Sequence, residues 1–260
     1  MADREWILLN PGPANTSARV REALVMPDLC HREPECFEMM RRCRDGIVRL
    51  AGAGADWTAV LFTGSGTASV EAALCSAVPS DRALLVVNNG VYGDRMLRIA
   101  RAHGMPTVAV SGDIFTPVRA GEVEAALVAH PEVSHVAVVH HETTTGLLNP
   151  VAEVGRLARA HEKLLLIDSV SGLAGDALDL EAVGADLVVG TGGKCIQGFP
   201  GLSFVLVRQS VVPRLLTHPR RSRPRSRACS PRPGGSSWPR TASTASASRR
   251  WPPRRGCLTA

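Results

Sequence analysis

Several short runs in this chain are apolar at every position: Leu84-Leu85-Val86-Val87, Val136-Ala137-Val138-Val139, Leu164-Leu165-Leu166-Ile167 and Leu187-Val188-Val189. A strand with one face in water alternates apolar and polar residues, so a continuous run bounded by turn residues reads as a strand buried on both faces. Helix-like segments lie between the runs, at residues 122–129 and 151–161. Strand and helix in alternation imply βαβ units, and therefore an α/β fold with a mostly parallel mixed sheet flanked by helices. About 210 residues of this pattern suffice for one large core.

Sheets of that kind bind ligands just outside the carboxyl ends of their strands. The run 164–167 ends in Asp168, so a buried strand delivers a carboxylate to that edge. Lys194 follows the run 187–189 within Gly190-Thr191-Gly192-Gly193-Lys194-Cys195, 26 residues after Asp168 (194 − 168 = 26). Glycines beside a lysine remove side-chain bulk and let a ligand come close. A nucleotide P-loop would need Gly at Val188 and Ser or Thr at Cys195, so that alternative fails. A lysine and an acid on adjacent strand ends suit pyridoxal 5'-phosphate. Lys194 would hold the cofactor aldehyde as a Schiff base, and Asp168 would pair with its pyridinium nitrogen. Taken alone, an acid such as Asp168 is often only a helix cap, and a lysine such as Lys194 is usually a solvated loop residue or a phosphate binder.

Further turns raise the signal. A short strand enters Gly64-Ser65-Gly66-Thr67 and then an Ala/Leu-rich helical stretch, so the free amides of the first turn make Ser65, Gly66 and Thr67 a cradle for phosphate. Tyr92, the only Tyr, lies where the run 84–87 hands over to a helix. There it could stack on a cofactor ring or pack on the helix. His140, His141 and Glu142 invite a metal reading, but consecutive residues on an extended chain face opposite sides, and a metal site is not expected.

These residues together resemble the fold-type I, class V aminotransferases. The matching stretches are Leu8 to Thr16, Asp28 to Glu33, Gly64 to Thr67, Asn89 to Arg95, His141 to Gly146, Asp168 to Gly172 and Gly192 to Gly198. Pro34 to Phe37 departs from the usual charged run. Cys30 to Glu33 and Lys194 to Gly198 favour the branch whose amino donor is 2-aminoethylphosphonate and whose acceptor is pyruvate, over relatives acting on alanine, serine or glyoxylate. The resemblance implies that Thr143 contacts the ring hydroxyl, Tyr92 stacks on the ring and Ser65 to Thr67 hold the phosphate. It implies a homodimer, with a substrate-carboxylate Arg and a partner-reaching Thr in a C-terminal domain that nothing here matches. Arg32 is the best remaining guanidinium for an acidic substrate, with a structural ion pair as its alternative use.

Charge divides the chain. From Pro213 onward there are 12 Arg and no acid; the 212 residues before it carry the other 18 of 30 Lys+Arg against 24 Asp+Glu, a net −6 within the overall +6. The expected division is thus a cofactor-binding large domain at 1–212, with an N-terminal segment 1–50, and an Arg/Pro/Ser-rich disordered tail at 213–260. Such a tail could bind nucleic acid through phosphates, leaving a non-catalytic remnant, or could be out-of-frame translation of a GC-rich gene. The second is favoured, with activity impaired by the lost domain. Seven cysteines without Cys-x-x-Cys pairs argue against a disulfide framework. Neither a signal peptide nor a membrane-length apolar run is evident, so a cytoplasmic protein is expected.

Overall fold

The computed structural model describes residues 6–217. The expectations for residues 218–260 lie outside the described residues.

A seven-stranded sheet forms the centre, in the order β1 (Trp57–Thr63), β9 (Leu202–Arg208), β8 (Leu187–Thr191), β7 (Leu164–Asp168), β4 (Val133–Val139), β2 (Ala83–Asn88), β3 (Thr107–Ser111). β9 runs antiparallel to both neighbours and the remaining pairs are parallel, so the sheet is mixed but mostly parallel. A separate two-stranded ribbon joins β5 (His141–Glu142) to β6 (Leu147–Leu148).

Every residue of β7 and β8 is buried, which is why neither alternates in sequence. Their side chains, with those of β4, instead divide between two apolar layers. Leu165, Ile167, Val136, Val138 and Val188 point to the layer covered by α5 (Ala120–Ala129), α6 (Val151–Ala160) and α7 (Leu180–Val183). Leu164, Leu166, Ala137, Val139 and Val189 point to the layer covered by α3 (Gly66–Ala77) and α4 (Val91–Ala102). Each fully buried Leu, Ile or Val contributes about 1.5–3 kcal/mol. A polar substitution in β7 would therefore cost the layer that its side chain enters.

α1 (Ala18–Glu22) and α2 (Pro34–Leu50) precede the sheet and contain no buried residue. α8 (Val212–Thr217) closes the described chain; Val212 and Leu215 pack on the second layer, so regular structure continues past residue 212.

Candidate active site

The strand directions put several functional loops on one edge. β1 points the same way as β8, because both are antiparallel to β9. The carboxyl ends of β1, β2, β4, β7 and β8 thus share an edge, and a cavity of about 270 Å³ opens there. Ser65, Gly66, Thr67, Tyr92, Thr143, Asp168 and Lys194 all line it. Arg32 does not: it is exposed in the turn before α2.

Asp168 ends β7, in register with Val139 on one side and Val189 on the other, and is only 6% exposed. One carboxylate oxygen accepts a hydrogen bond from the Val170 amide at 3.1 Å. Burial pushes its carboxyl up from 3.8 to about 6; the Val170 amide pulls it down, Glu142 adds to the rise and Arg95 opposes it. A buried carboxylate in that condition favours a cation opposite it.

Lys194 sits in the turn after β8. Gln197 N donates to Lys194 O at 2.8 Å and Gly198 N to Gly192 O at 2.7 Å, closing the turn. The N-terminal segment crosses this turn through Ala14 N to Gly193 O at 3.3 Å, and Gly12 lies so near the lysine stem that an added Cβ would stand 2.8 Å from Nζ. The other lysine, Lys163, lies between α6 and β7 and donates to Pro131 O at 3.3 Å.

The phosphate cradle is built at the start of α3. Ser65 is its N-cap, accepting from Ala68 N at 3.3 Å, which leaves other first-turn amides available. Ser203 Oγ on β9 donates to Ser65 O at 3.1 Å and shares a 2.6 Å bond with Ser69 Oγ, so the cradle is pinned to the sheet.

Tyr92 is held in the first turn of α4 by Glu142. That fully buried carboxylate accepts from Tyr92 N at 3.1 Å and Gly93 N at 3.0 Å, where the helix presents its positive end. The absence of a side chain at Gly90 makes the room, since a Cβ there would lie 2.6 Å from a Glu142 oxygen. The Arg95 guanidinium stands 4.7 Å over the Tyr92 ring and donates to Thr67 Oγ1 at 3.1 Å. Tyr92 also packs against the second apolar layer, the helix-packing reading of it, while lining the cavity.

The neighbouring His140, His141 and Glu142 take separate partners. His140 is buried against Ser169 Oγ at 3.0 Å, and desolvation holds its pKa below the usual value. His141 lines the cavity and pairs through Nδ1 with Asp176 at 2.7 Å. Ser171 Oγ donates to His141 O at 2.8 Å, and Cys195 Sγ contacts Ser171 O at 3.1 Å, stitching the loops after β4, β7 and β8 together. No group of three or more His, Cys, Asp or Glu placed to hold a metal occurs among the described residues.

Residue-level reading did not single out Arg95, Gly12, Pro13, His141 or Ser171 as cavity residues. Arg95 was within reach of it: Tyr92 and Arg95 are three apart on a helix and share a face. Gly12 and Pro13 arrive from far away in sequence, and no local pattern marks them.

A lysine, a buried acid, a capped helix start and an aromatic around one cavity define a class of protein. The chain belongs to the class V aminotransferase family, whose model (Aminotransferase class-V) matches residues 18–220. Pyridoxal 5'-phosphate is the cofactor this membership implies. The cavity suits it, offering an amine, a carboxylate in want of a cation and a first-turn phosphate cradle.

Among particular relatives, the chain is 43% identical over 209 residues to the 2-aminoethylphosphonate--pyruvate transaminase of Syntrophobacter fumaroxidans, covering 80% of this chain and 56% of that one. It is 40% identical over 209 residues to the protein so named from Phocaeicola vulgatus, covering 80% and 58%. Of solved structures, alanine--glyoxylate aminotransferase from Nostoc sp. superposes with a TM-score of 0.76 at 27% identity, covering 85% of this chain and 59% of the other. Pyridoxamine-pyruvate aminotransferase from Mesorhizobium loti superposes with a TM-score of 0.76 at 26% identity, covering 82% and 54%. The chain thus spans a little over half the length of the curated relatives it matches.

Proposed function

We propose that this chain carries the cofactor site of a transaminase that moves the amino group of 2-aminoethylphosphonate to pyruvate, giving phosphonoacetaldehyde and L-alanine. The observation carrying the reading is the meeting of Lys194 and Asp168 in one cavity, in a chain 43% identical to a relative of that name. When bound, pyridoxal 5'-phosphate supplies an electron sink for the pair left as a C–H bond breaks. Lys194 Nζ takes the proton from the amino donor's reacting carbon as a base and returns it as an acid. Asp168, fixed by the Val170 amide, supplies the negative charge that keeps a ring nitrogen protonated. Tyr92 covers the ring's face, Thr143 contacts its hydroxyl, and Ser65, Gly66 and Thr67 receive its phosphate. Thr143 lines the cavity from the turn between β5 and β6.

The cofactor-binding large domain ends near residue 212, and the Arg-rich remainder is out-of-frame translation; reading the gene around codon 213 in all frames tests that division. The protein acts in the cytoplasm as a homodimer. Supporting the dimer, Trp6, Ile7, Leu9 and Phe37 expose 66%, 78%, 95% and 60% of their surface. No helix among the described residues is long and apolar enough to cross a membrane.

The test supplies 2-aminoethylphosphonate and pyruvate to the protein with cofactor and follows phosphonoacetaldehyde and alanine together. Equal yields of both support the reading. Turnover of alanine or serine with glyoxylate, and none of the phosphonate, would replace it with the other class V chemistry.

A further inference from the structure

Two cationic side chains line the cavity, Lys194 and Arg95. The lysine has its role; the arginine has none in the reading above. Arg95 is half-buried, and no carboxylate lies within ion-pair distance of it among the described residues. Its helix neighbour Arg98, by contrast, pairs with Asp94. Asp168 across the cavity feels its charge but makes no ion pair with it, so the guanidinium keeps donors free for an anionic ligand.

The position of Arg95 says which anion. One of its terminal nitrogens donates to Thr67 Oγ1 at 3.1 Å, which places the group beside the first turn of α3. The Tyr92 ring lies beneath the guanidinium, its centroid 4.7 Å from the central carbon, and supports it there. Tyr92 is in turn fixed by the buried Glu142. The cradle at Ser65 to Thr67 otherwise offers a phosphate dianion only amides, hydroxyls and the partial charge of a helix end, about half an elementary charge. A guanidinium has five N–H donors, so one bond to Thr67 leaves others for phosphate oxygens.

We infer that Arg95 is the cation that binds the cofactor's phosphate, clamped between Thr67 and Tyr92. This rests on the cofactor assignment, and the test separates the two. Pyridoxal 5'-phosphate and pyridoxal, which lacks the phosphate, are titrated by absorbance into the wild-type protein, Arg95→Met and Arg95→Lys. Arg95→Met should weaken pyridoxal phosphate by roughly 10- to 100-fold, as expected for lost charge-assisted hydrogen bonds, and leave pyridoxal unchanged. Arg95→Lys, keeping the charge and losing the fork, should fall between. Unaltered affinity for both ligands in Arg95→Met overturns the inference alone. Equal loss of both also overturns it, since Arg95 would then act only by holding Tyr92.

A second measurement needs no variant. Phenylglyoxal modification of wild-type Arg95, followed by peptide mass, should be blocked by saturating pyridoxal phosphate and not by saturating pyridoxal. Protection by both, or by neither, overturns the inference. Failure of the wild-type protein to bind pyridoxal phosphate at all overturns the cofactor assignment and this inference with it.

Discussion

The loops after β7 and β8 and the N-terminal segment before β1 meet at the same cavity, yet they are built in opposite ways. The loops hang from strands buried at every position and are stitched to one another through Ser171, His141 and Cys195. The N-terminal segment is held more loosely: residues 6–33 bury nothing and α2 only leans Ile47 and Val48 on the core, whereas α3, α4 and α6 bury six, four and five residues. Gly12 and Pro13 nevertheless line the cavity against Lys194. The core therefore sets stability, and part of the site is borrowed from a segment that the core does not hold. Such a segment gains order from whatever covers it, which agrees with the proposed second copy.

The largest effect tests the core-borne half. Lys194→Ala should abolish covalent cofactor attachment, seen as loss of the reducible cofactor–lysine bond, because the remaining lysine is engaged at Pro131. Asp168→Asn should retain some cofactor but lower turnover by roughly a hundredfold or more, measured by alanine formation.

The same carboxyl makes a stability prediction with a defined sign. Folded Asp168 holds its proton to about 6 against an ordinary 3.8, so between those values the folded state carries a proton that the unfolded chain has released. Its contribution to stability therefore falls as pH rises through that window and is flat above it. The cofactor-free Asp168→Asn protein, whose amide oxygen can still accept from Val170, should lose this slope. At neutral pH it should be more stable than wild type by at most about 3 kcal/mol. Urea midpoints at about pH 4 and about pH 7 measure it.

Smaller effects sharpen the contrast from the other side. Gly12→Ala puts a methyl where the lysine stem lies and should lower turnover by roughly ten- to a hundredfold through misplacement of Lys194. Its unfolding free energy should change little, because residues 6–33 carry no core; a large loss would show that the two regions are not separate. Smallest of all, Phe37→Ser on exposed α2 should shift stability by less than about 0.5 kcal/mol while reducing self-association in sedimentation.

The parts of this site that could be read in the sequence are those that strands deliver. Unbroken apolar runs identified β7 and β8, and strand ends located Asp168 and Lys194. The capped turn at Ser65 and the handover at Tyr92 followed from local chemistry as well. What escaped was contact at long range. Nothing near Glu142 marks it as the carboxylate that seats α4 some 50 residues earlier (142 − 92 = 50). Arg32, singled out as the best remaining guanidinium for an acidic substrate, lies outside the cavity, while Arg95, hidden in an ordinary amphipathic helix, is the guanidinium that lines it. The period of a helix tells which residues share a face; only the packing of α4 on the sheet tells which face meets the ligand.

The central claim is that the lysine after β8 holds the cofactor at the edge where Asp168 ends β7. Borohydride reduction of the wild-type protein with pyridoxal 5'-phosphate, followed by digestion and peptide mass, tests it most directly. The account predicts a single modified peptide carrying the reduced cofactor on Lys194. A peptide modified at Lys163, or none at all, would contradict it.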